Sequence, residues 1–277
     1  MNRATERSTV RLATAVYGSP EPPDADLAEV YHEASKVGGV TAADDLAGVG
    51  RLLASPDLRT SSTRAVRRHL QARTVELGAT APLRMPLGRA LATRRSLRAF
   101  GASPLPLREL AALLHAGYGV TGELRVEEGR QPLRSAPSGG ALYPLELSVV
   151  VRRVAGLEPG LYHFDPLDAL LEEVRRGPVP VAATTPFAEI AADAAAIVVV
   201  SAVFWRSRFK YGLRGYRFAL LEAGHVAQNV LLAAAALELA AVPLGGFYDR
   251  RVDELIGVNG VDESSLYLVC IGLPEGR

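Results

Sequence analysis

Hydrophobic residues form continuous runs in the second half of the chain. Three such runs, at 145–151, 196–204 and 265–274, are rich in Val, Leu and Ile. A short run that is apolar at nearly every position predicts a strand covered on both faces. The segment GLYHF, at 160–164, predicts a further short strand. The pattern therefore predicts a buried sheet at the centre of the fold.

Helical patterns lie between the predicted strands. A helix is predicted to begin at 86 and to run into an arginine-rich exit at 94–98, and further helices are predicted at 104–119, 186–194 and 251–257. Residues 121–135 are polar and of mixed charge, which predicts a surface loop. Helices and strands alternate irregularly. No GxGxxG follows a strand and no P-loop pattern occurs, so the usual motifs of dinucleotide and P-loop nucleotide sites are missing.

The longest apolar stretch predicts a helix from about Arg217 to Ala241. It is apolar nearly all round, which is typical of a helix buried in a core or at a subunit interface. Its polar exceptions, Glu222, His225 and Asn229, have the spacing of one helix face. The helix is expected to end at Val242–Pro243, because the residue before a proline avoids the helical conformation. A purely structural core helix is the alternative interpretation.

The segments that flank this helix suggest chemistry. After it, Gly245 and Gly246 allow a backbone to approach a ligand, although such a pair also forms ordinary turns. Before it, Lys210 is one of only two lysines among 31 basic residues. Lysine can lose its proton whereas arginine does not, so a lysine among arginines indicates a need for the amine. The cluster around it alternates cations with aromatic rings: Arg206, Arg208, Lys210, Tyr211, Arg214, Tyr216 and Arg217.

The first 84 residues differ from the remainder. Short helices are predicted at 31–39, 43–56 and 62–77, and no chemistry is legible in them. We therefore expect an N-terminal, mostly helical extension at 1–84 and a main domain at 85–277.

Composition excludes several classes of protein. A net charge of +1 over 277 residues gives no case for a nucleic-acid partner. The single cysteine, Cys270, excludes a disulfide framework, and we predict no metal site. No run of 18 or more apolar residues and no apolar signal core occur, so a cytoplasmic protein without a membrane span is expected.

Four ordered motifs resemble a known family. They are RRSLRAF (94–100), PSGGALYPLEL (137–147), the segment from RFKYGLRGYR to AGHVAQN (208–229) and PLGGFYD (243–249). Together they resemble the SagB/ThcOx-type dehydrogenase branch of the nitroreductase-like FMN flavoproteins. The resemblance implies an α+β fold with a central, mostly antiparallel sheet flanked by helices. It also implies an intertwined homodimer with FMN at the dimer seam.

The resemblance also implies a role for each motif. The residues implied to hold the FMN phosphate and ribityl oxygens are Arg94, Arg95, Ser96 and Arg98. Those implied to lie against or near the flavin ring are Pro137, Ser138, Gly139, Gly140, Gln228, Asn229, Leu244, Gly245 and Gly246. The implied catalytic pair is Lys210 and Tyr211.

Members of this branch oxidise thiazoline and oxazoline rings in ribosomally made peptides to thiazoles and oxazoles. The flavin accepts two electrons, and a lysine whose pKa is lowered by neighbouring cations and burial can accept a proton. Expected partners are an azoline-bearing peptide and cyclodehydratase proteins, and either oxygen or another acceptor reoxidises the flavin. The alternatives are that Lys210 and Tyr211 only line the pocket, that the protein is an NAD(P)H-dependent nitro- or quinone reductase, or that it is a non-catalytic scaffold subunit.

Overall fold

The structure is a computed structural model that describes residues 26–36, 47–63, 66–126 and 129–276. The chain forms two compact units, residues 1–45 and 46–277. The described part of the first unit is helix α1, Leu27–Ala34, whose first turn is capped by Asp26 accepting from the Ala28 backbone N–H at 2.8 Å. A domain boundary at residues 84 and 85 stays a prediction.

The second unit contains the sheet and the remaining described helices. Its strands are β1 Arg73–Glu76, β2 Leu105–Pro106, β3 Val120–Val126, β4 Gly129–Arg134, β5 Leu145–Val151, β6 Val154–Ala155, β7 Gly160–Asp165, β8 Leu170–Arg176, β9 Ala196–Val203, β10 Ala240–Leu244 and β11 Glu263–Gly272. Its helices are α2 Ala47–Ala54, α3 Pro56–Thr63, α4 Leu87–Thr93, α5 Leu107–Tyr118, α6 Ala188–Asp193, α7 Trp205–Ala236 and α8 Asp249–Ile256.

The central sheet has the strand order β1-β8-β7-β5-β9-β11-β10, and every neighbouring pair is antiparallel. Strands β5, β9 and β11 are buried because both faces of the sheet are covered. Val149 and Val198 belong to the core on the side of α5 and α7, whereas Val150 and Ile197 belong to the core on the side of α6 and α8. This arrangement confirms the predicted α+β fold and explains why these strands are apolar at successive positions.

Helix α7 differs from the predicted helix at both ends. It begins at Trp205 and is kinked at Gly212, whose φ of 55° and ψ of −134° are accessible chiefly to glycine. It ends at Ala236, and Glu238 then adopts a left-handed φ of 56°. The prediction that Pro243 ends the helix was wrong, because Pro243 lies within β10. Strand β10 is at the edge of the sheet, where a residue without an N–H is tolerated.

Helix α7 is long and apolar enough to cross a membrane by length and composition alone. However, half of its apolar window is buried inside the unit. Buried residues such as Ala219, Val226 and Val230 belong to the core that it shares with α5 and the sheet. This is the environment of a core helix.

Two other predictions were wrong. Residues 121–135 mostly form the β3–β4 hairpin instead of a loop, and β3 has no apolar strand pattern because none of its side chains is buried. Residues 73–76 form strand β1 instead of the end of a helix. Strand β1 is an edge strand with mostly exposed side chains, so its sequence lacks the apolar character of the central strands.

Candidate functional site

The loop at 137–140 enters β5 through strained backbone. Gly140, Ala141 and Tyr143 have positive φ values of 67°, 52° and 45°. Non-glycine residues adopt this conformation at an energetic cost, and such strain is common at functional sites. Hydrogen bonds hold the loop in place: the Tyr143 N–H donates to Ser138 Oγ at 2.9 Å, and the Arg134 N–H donates to Tyr143 Oη at 2.9 Å.

Lys210 and Tyr211 converge on this loop. A Cβ atom added to Gly140 would lie 2.6 Å from Lys210 Nζ and 2.6 Å from Tyr211 Oη. Lys210 Nζ is also 5.1 Å from the centroid of the Tyr211 ring, and that ring packs edge-on against Phe218. The structure therefore brings both predicted catalytic residues to one face of the glycine loop, next to a residue without a side chain.

The short helical segment that carries Lys210 and Tyr211 is anchored at its start. Arg206 forms an ion pair with Glu146 of β5 at 2.5 Å, and Trp205 Nε1 donates to Asp262 Oδ1 at 3.2 Å. Past the kink, a Cβ atom at Gly215 would lie 2.7 Å from the backbone of Ser207, so the two parts of α7 touch directly. The position of the pair is therefore fixed by contacts on both sides of Gly212.

Glu146 belongs to a buried charged network that the sequence interpretation missed. His163 contacts Glu146 through Nε2 at 2.8 Å and Glu172 through Nδ1 at 2.9 Å. Burial opposes the ionisation of Glu146, but the hydrogen bond to His163 and the charge of Arg206 outweigh it and lower the pKa of Glu146 to about 2. The sequence contains a signal for this network: Glu146 and His163 are titratable residues within the predicted buried strands LELSVVV and GLYHF.

The same network brings His69 close to His163 and Glu172, and their possible ligand atoms lie within 4.8 Å of one another. However, both ring nitrogens of His163 already contact carboxylates, and Glu172 accepts the His69 backbone N–H at 3.0 Å. Arg67 and Arg206 add positive charge nearby. We therefore interpret these residues as an ion-pair and hydrogen-bond network.

A second buried carboxyl group, Glu222, also lies beside the loop. Tyr118 Oη donates to Glu222 Oε1 at 2.6 Å, and the Ser138 hydroxyl forms another hydrogen bond with this carboxyl. Burial raises the pKa of Glu222 to about 7, against the opposite effects of these hydrogen bonds and of Arg134. The sequence marked Glu222 as a polar exception on a buried helix but did not connect it to the loop.

Glu222 also lines a cavity of about 260 Å³ beside the loop. One wall is the loop itself, and the other is the exposed side of α7. The lining residues are Pro137, Ser138, Gly139, Phe218, Leu221, Glu222 and His225. Such a cavity offers mostly apolar walls with a few polar groups, which is common in ligand sites.

The predicted phosphate-binding residues lie elsewhere, beside the sheet edge. The Leu97 N–H donates to the Ala241 carbonyl of β10 at 3.0 Å, so the stretch 94–100 runs along this strand. Arg95 and Arg98 are exposed, and Arg94 and Ser96 are half-buried. Arg95 also lines a cavity of about 280 Å³ together with Leu231 and Glu238 near the end of α7.

The predicted glycine loop after β10 lies at the same sheet edge. Leu244 is buried, and Gly245 and Gly246 are exposed. The Gly246 carbonyl accepts from Thr185 Oγ1 at 2.8 Å, and a Cβ atom at Gly246 would lie 2.9 Å from Phe187 Cε2. This loop is therefore held by the segment 184–187, and its glycines leave the backbone accessible.

One chain thus presents two groups of predicted site residues at different positions along α7. Leu221 lines the cavity beside the Ser-Gly-Gly loop, and Leu231 lines the cavity beside Arg95. Ten residues of helix separate them, which corresponds to about 15 Å. Gln228, which is exposed, and Asn229, which is half-buried, lie between the two groups.

Comparison with known proteins assigns the chain to a family. Residues 91–273 match the model of the Nitroreductase family. The chain therefore belongs to this family of oxidoreductases, whose members bind FMN. It is 39% identical over 187 residues to MJ1384 of Methanocaldococcus jannaschii, which is described as a nitroreductase, and the match covers 66% of this chain and 88% of that protein.

Two further relatives are named as processing proteins. The chain is 30% identical over 138 residues to the microcin B17-processing protein McbC of Escherichia coli, and 30% identical over 155 residues to the trifolitoxin-processing protein TfxB of Rhizobium leguminosarum bv. trifolii. These matches cover 46% and 51% of this chain, and 49% and 42% of the relatives.

Solved structures agree on the fold. A nitroreductase-like protein from Ralstonia eutropha superposes with a TM-score of 0.62 at 27% identity, covering 76% of this chain and 93% of that one. A chain of the E. coli microcin synthetase McbBCD complex, solved with truncated pro-MccB17 bound, superposes with a TM-score of 0.55 at 22% identity, covering 90% of this chain and 97% of that one.

Proposed function

We propose that this protein is an FMN-dependent oxidoreductase that oxidises thiazoline or oxazoline rings in a ribosomally made peptide to thiazoles or oxazoles. The observation that carries the proposal is the convergence of Lys210 Nζ and Tyr211 Oη on Gly140. An amine and a phenol therefore lie together at the loop that we propose to face the flavin ring. The peptide-processing names of McbC and TfxB support a peptide substrate.

The residues present fit FMN. Gly139 and Gly140 form a loop surface without side chains beside a cavity, which suits contact with a flat ring. Arg95 and Arg98 offer exposed guanidinium groups, which suit a phosphate. Ser96, Gln228 and Asn229 offer polar side chains, and Leu244 to Gly246 offer accessible backbone near the sheet edge. When bound, FMN supplies an acceptor for two electrons.

The chain's own residues then manage the protons. Oxidation of an azoline ring removes two electrons and two protons. Lys210 accepts one proton from ring carbon, the other hydrogen leaves with both electrons to the acceptor that FMN would supply, and the Tyr211 hydroxyl donates a hydrogen bond to the ring nitrogen and orients the ring. The ion pair between Arg206 and Glu146 holds the segment that carries both residues.

We propose a homodimer as the functional unit. The two groups of site residues lie about 15 Å apart along α7, so a second copy offers a way to bring an arginine group to a glycine loop. Leu213, Leu220 and Leu221 of α7 are 44%, 40% and 56% exposed, which is unusual for leucines on a core helix.

The expected partners remain a cyclodehydratase and its azoline peptide, in the cytoplasm. Light scattering should report twice the chain mass, and a monomer that retains FMN would contradict the dimer.

The test combines an absorbance spectrum with mass spectrometry. A yellow protein that removes two mass units per ring from an azoline peptide in air is the expected result. Lys210→Ala and Tyr211→Phe should each keep FMN but lose turnover by about 10²-fold or more, the scale of a lost acid or base group. Lys36→Ala is the matched control, since Lys36 is the other lysine and pairs with Glu33 on an exposed helix. Near-normal turnover in both site variants would contradict the assignment of Lys210 and Tyr211.

A second candidate is an NAD(P)H-dependent nitro- or quinone reductase. The 39% identity to MJ1384, described as a nitroreductase, favours it. Rapid stoichiometric bleaching of the flavin by NADPH, with no mass change in an azoline peptide, would support this reductase. A purified protein that stays colourless after addition of FMN would instead support a scaffold subunit.

A further inference from the structure

Glu222 joins the loop to two other elements through hydrogen bonds. It lies on α7 with only 2% of its surface exposed, and it contacts Tyr118 of α5 and Ser138 of the loop. The Leu145 N–H of β5 donates to Tyr118 Oη at 3.2 Å. The single hydrogen of the Tyr118 hydroxyl is therefore directed to Glu222 Oε1.

Ser138 has only one hydrogen to donate. Its Oγ already accepts the Tyr143 N–H at 2.9 Å, which leaves one lone pair and the hydroxyl hydrogen. If Glu222 is a carboxylate, it can only accept, so the Ser138 hydrogen must turn towards it. If Glu222 is a carboxylic acid, its own hydrogen can be donated to Ser138, and the Ser138 hydrogen becomes free. The protonation of Glu222 thus sets the direction in which Ser138 donates.

We propose that Glu222 is a positioning residue that directs the Ser138 hydroxyl: as a carboxylic acid it frees the Ser138 hydrogen for an acceptor atom of bound FMN, and as a carboxylate it takes that hydrogen. The inference rests on the proposed function, because it requires FMN at the loop. Ser138 and Glu222 line the same cavity, so a freed hydrogen has a ligand-sized space to enter.

The surrounding groups make this exchange accessible near neutral pH. Burial raises the pKa of Glu222 to about 7. Among the described residues, the titratable or charged groups around it are Tyr118 on α5, Arg134 on β4 and His225 on the next turn of α7. Lys210 contacts the loop at Gly140. His225 is exposed and lines the cavity, so it is the group that must be separated from Glu222 experimentally.

The test is the dissociation constant of FMN, followed by flavin fluorescence at about pH 6 and about pH 8, which bracket this pKa. The FMN phosphate itself titrates near pH 6, but it does so equally in every variant, so the comparison between variants removes its effect. From about pH 6 to about pH 8, the FMN affinity of the wild type should fall about fivefold more than that of Glu222→Gln. A fivefold change in affinity corresponds to about one hydrogen bond. The glutamine amide can donate to Ser138 and its oxygen can accept from Tyr118, so Glu222→Gln imitates the protonated state.

Two control variants complete the design. His225→Gln should keep the wild-type pH dependence, and Ser138→Ala should lose the extra affinity at low pH. The inference is overturned if Glu222→Gln keeps the wild-type pH dependence, or if His225→Gln removes it. If wild type binds no FMN at either pH, the proposed function itself fails, which is a different result from FMN binding with an unaltered pH dependence.

Discussion

Replacing Gly140 with alanine tests whether the glycine loop positions Lys210 and Tyr211. Gly140 has a left-handed φ of 67°, so an alanine there costs about 1–2 kcal/mol of conformational energy. Its Cβ atom would also lie 2.6 Å from Lys210 Nζ and Tyr211 Oη. Both atoms end flexible side chains, so they move aside instead of unfolding the protein. We therefore expect a loss of about 1–2 kcal/mol of stability but a large loss of turnover.

The size of the turnover loss follows from geometry. Relieving a 2.6 Å contact moves the ends of Lys210 and Tyr211 by close to 1 Å, which restores an ordinary carbon contact of about 3.5 Å. A misplacement of about 1 Å can cost about 10²-fold in rate. Gly140→Ala should therefore keep its fold and lose azoline oxidation by about 10²-fold.

Gly257 provides the matched control for this experiment. It has a left-handed φ of 77° at the end of α8, and a Cβ atom there would have nothing within 4 Å. Gly257→Ala therefore introduces similar backbone strain without touching the site. Urea unfolding should show comparable stability losses, whereas azoline turnover should fall only in Gly140→Ala. Equal turnover in the two variants would refute the argument that the loop positions the pair.

The remaining predictions concern the ion pair between Arg206 and Glu146 and the predicted phosphate-binding arginines. Glu146→Gln should cost about 3 kcal/mol at neutral pH, from the difference between an ordinary pKa of 4.5 and about 2. Because the folded pKa is lowered, this stability is present above about pH 4.5 and is lost as the pH falls towards 2. The free energy of unfolding of the variant, measured with urea, should therefore change less with pH over that range than that of the wild type. Arg98→Ala should weaken FMN binding by about tenfold through a lost phosphate contact, as measured by flavin fluorescence. Arg130→Ala is its control, since Arg130 pairs with Glu123 on the hairpin, and equal FMN affinity in both variants would remove Arg98 from the site.

The central strands could be predicted from the sequence because their burial is reflected in their composition. β5, β9 and β11 are covered on both faces, so most of their positions are apolar. β1 and the β3–β4 hairpin could not be predicted in this way, because their side chains are largely exposed. Strand pairing at such places depends on neighbours that are distant in sequence, and no local period records it.

The bounds of α7 show a different limit of prediction from sequence. A proline usually ends a helix, but Pro243 is accommodated by an edge strand instead. The kink at Gly212 was equally hidden, since a glycine within a helical pattern does not reveal whether the chain continues or turns. The positive φ of Gly212 turns the chain so that Gly215 packs against the backbone of Ser207. Only the folded chain defines this contact.

The candidate site was identified through its motifs, but its buried carboxyl groups were not. Lys210 and the Ser-Gly-Gly loop stand out in the sequence, whereas the roles of Glu146 and Glu222 depend on which side chains surround them. Glu146 contacts Arg206 and His163, which keep it ionised. Glu222 contacts hydroxyl groups and has little positive charge nearby. The same residue type is therefore driven to opposite pKa shifts by its neighbours.

These two carboxyl groups both lie beside the candidate site, and their pKa values are shifted in opposite directions. Glu146 fixes the segment of Lys210 through Arg206, and that attachment weakens only when acid protonates a group whose pKa is about 2. Glu222 holds Ser138 beside the cavity, and its state changes near pH 7. The segment that carries Lys210 and Tyr211 thus rests on an ion pair that is insensitive to ordinary pH, whereas the Ser-Gly-Gly loop rests on a carboxyl group whose pKa is about 7. Adjustment by pH is therefore expected in the contacts of the loop with its ligand, while the position of Lys210 and Tyr211 stays fixed.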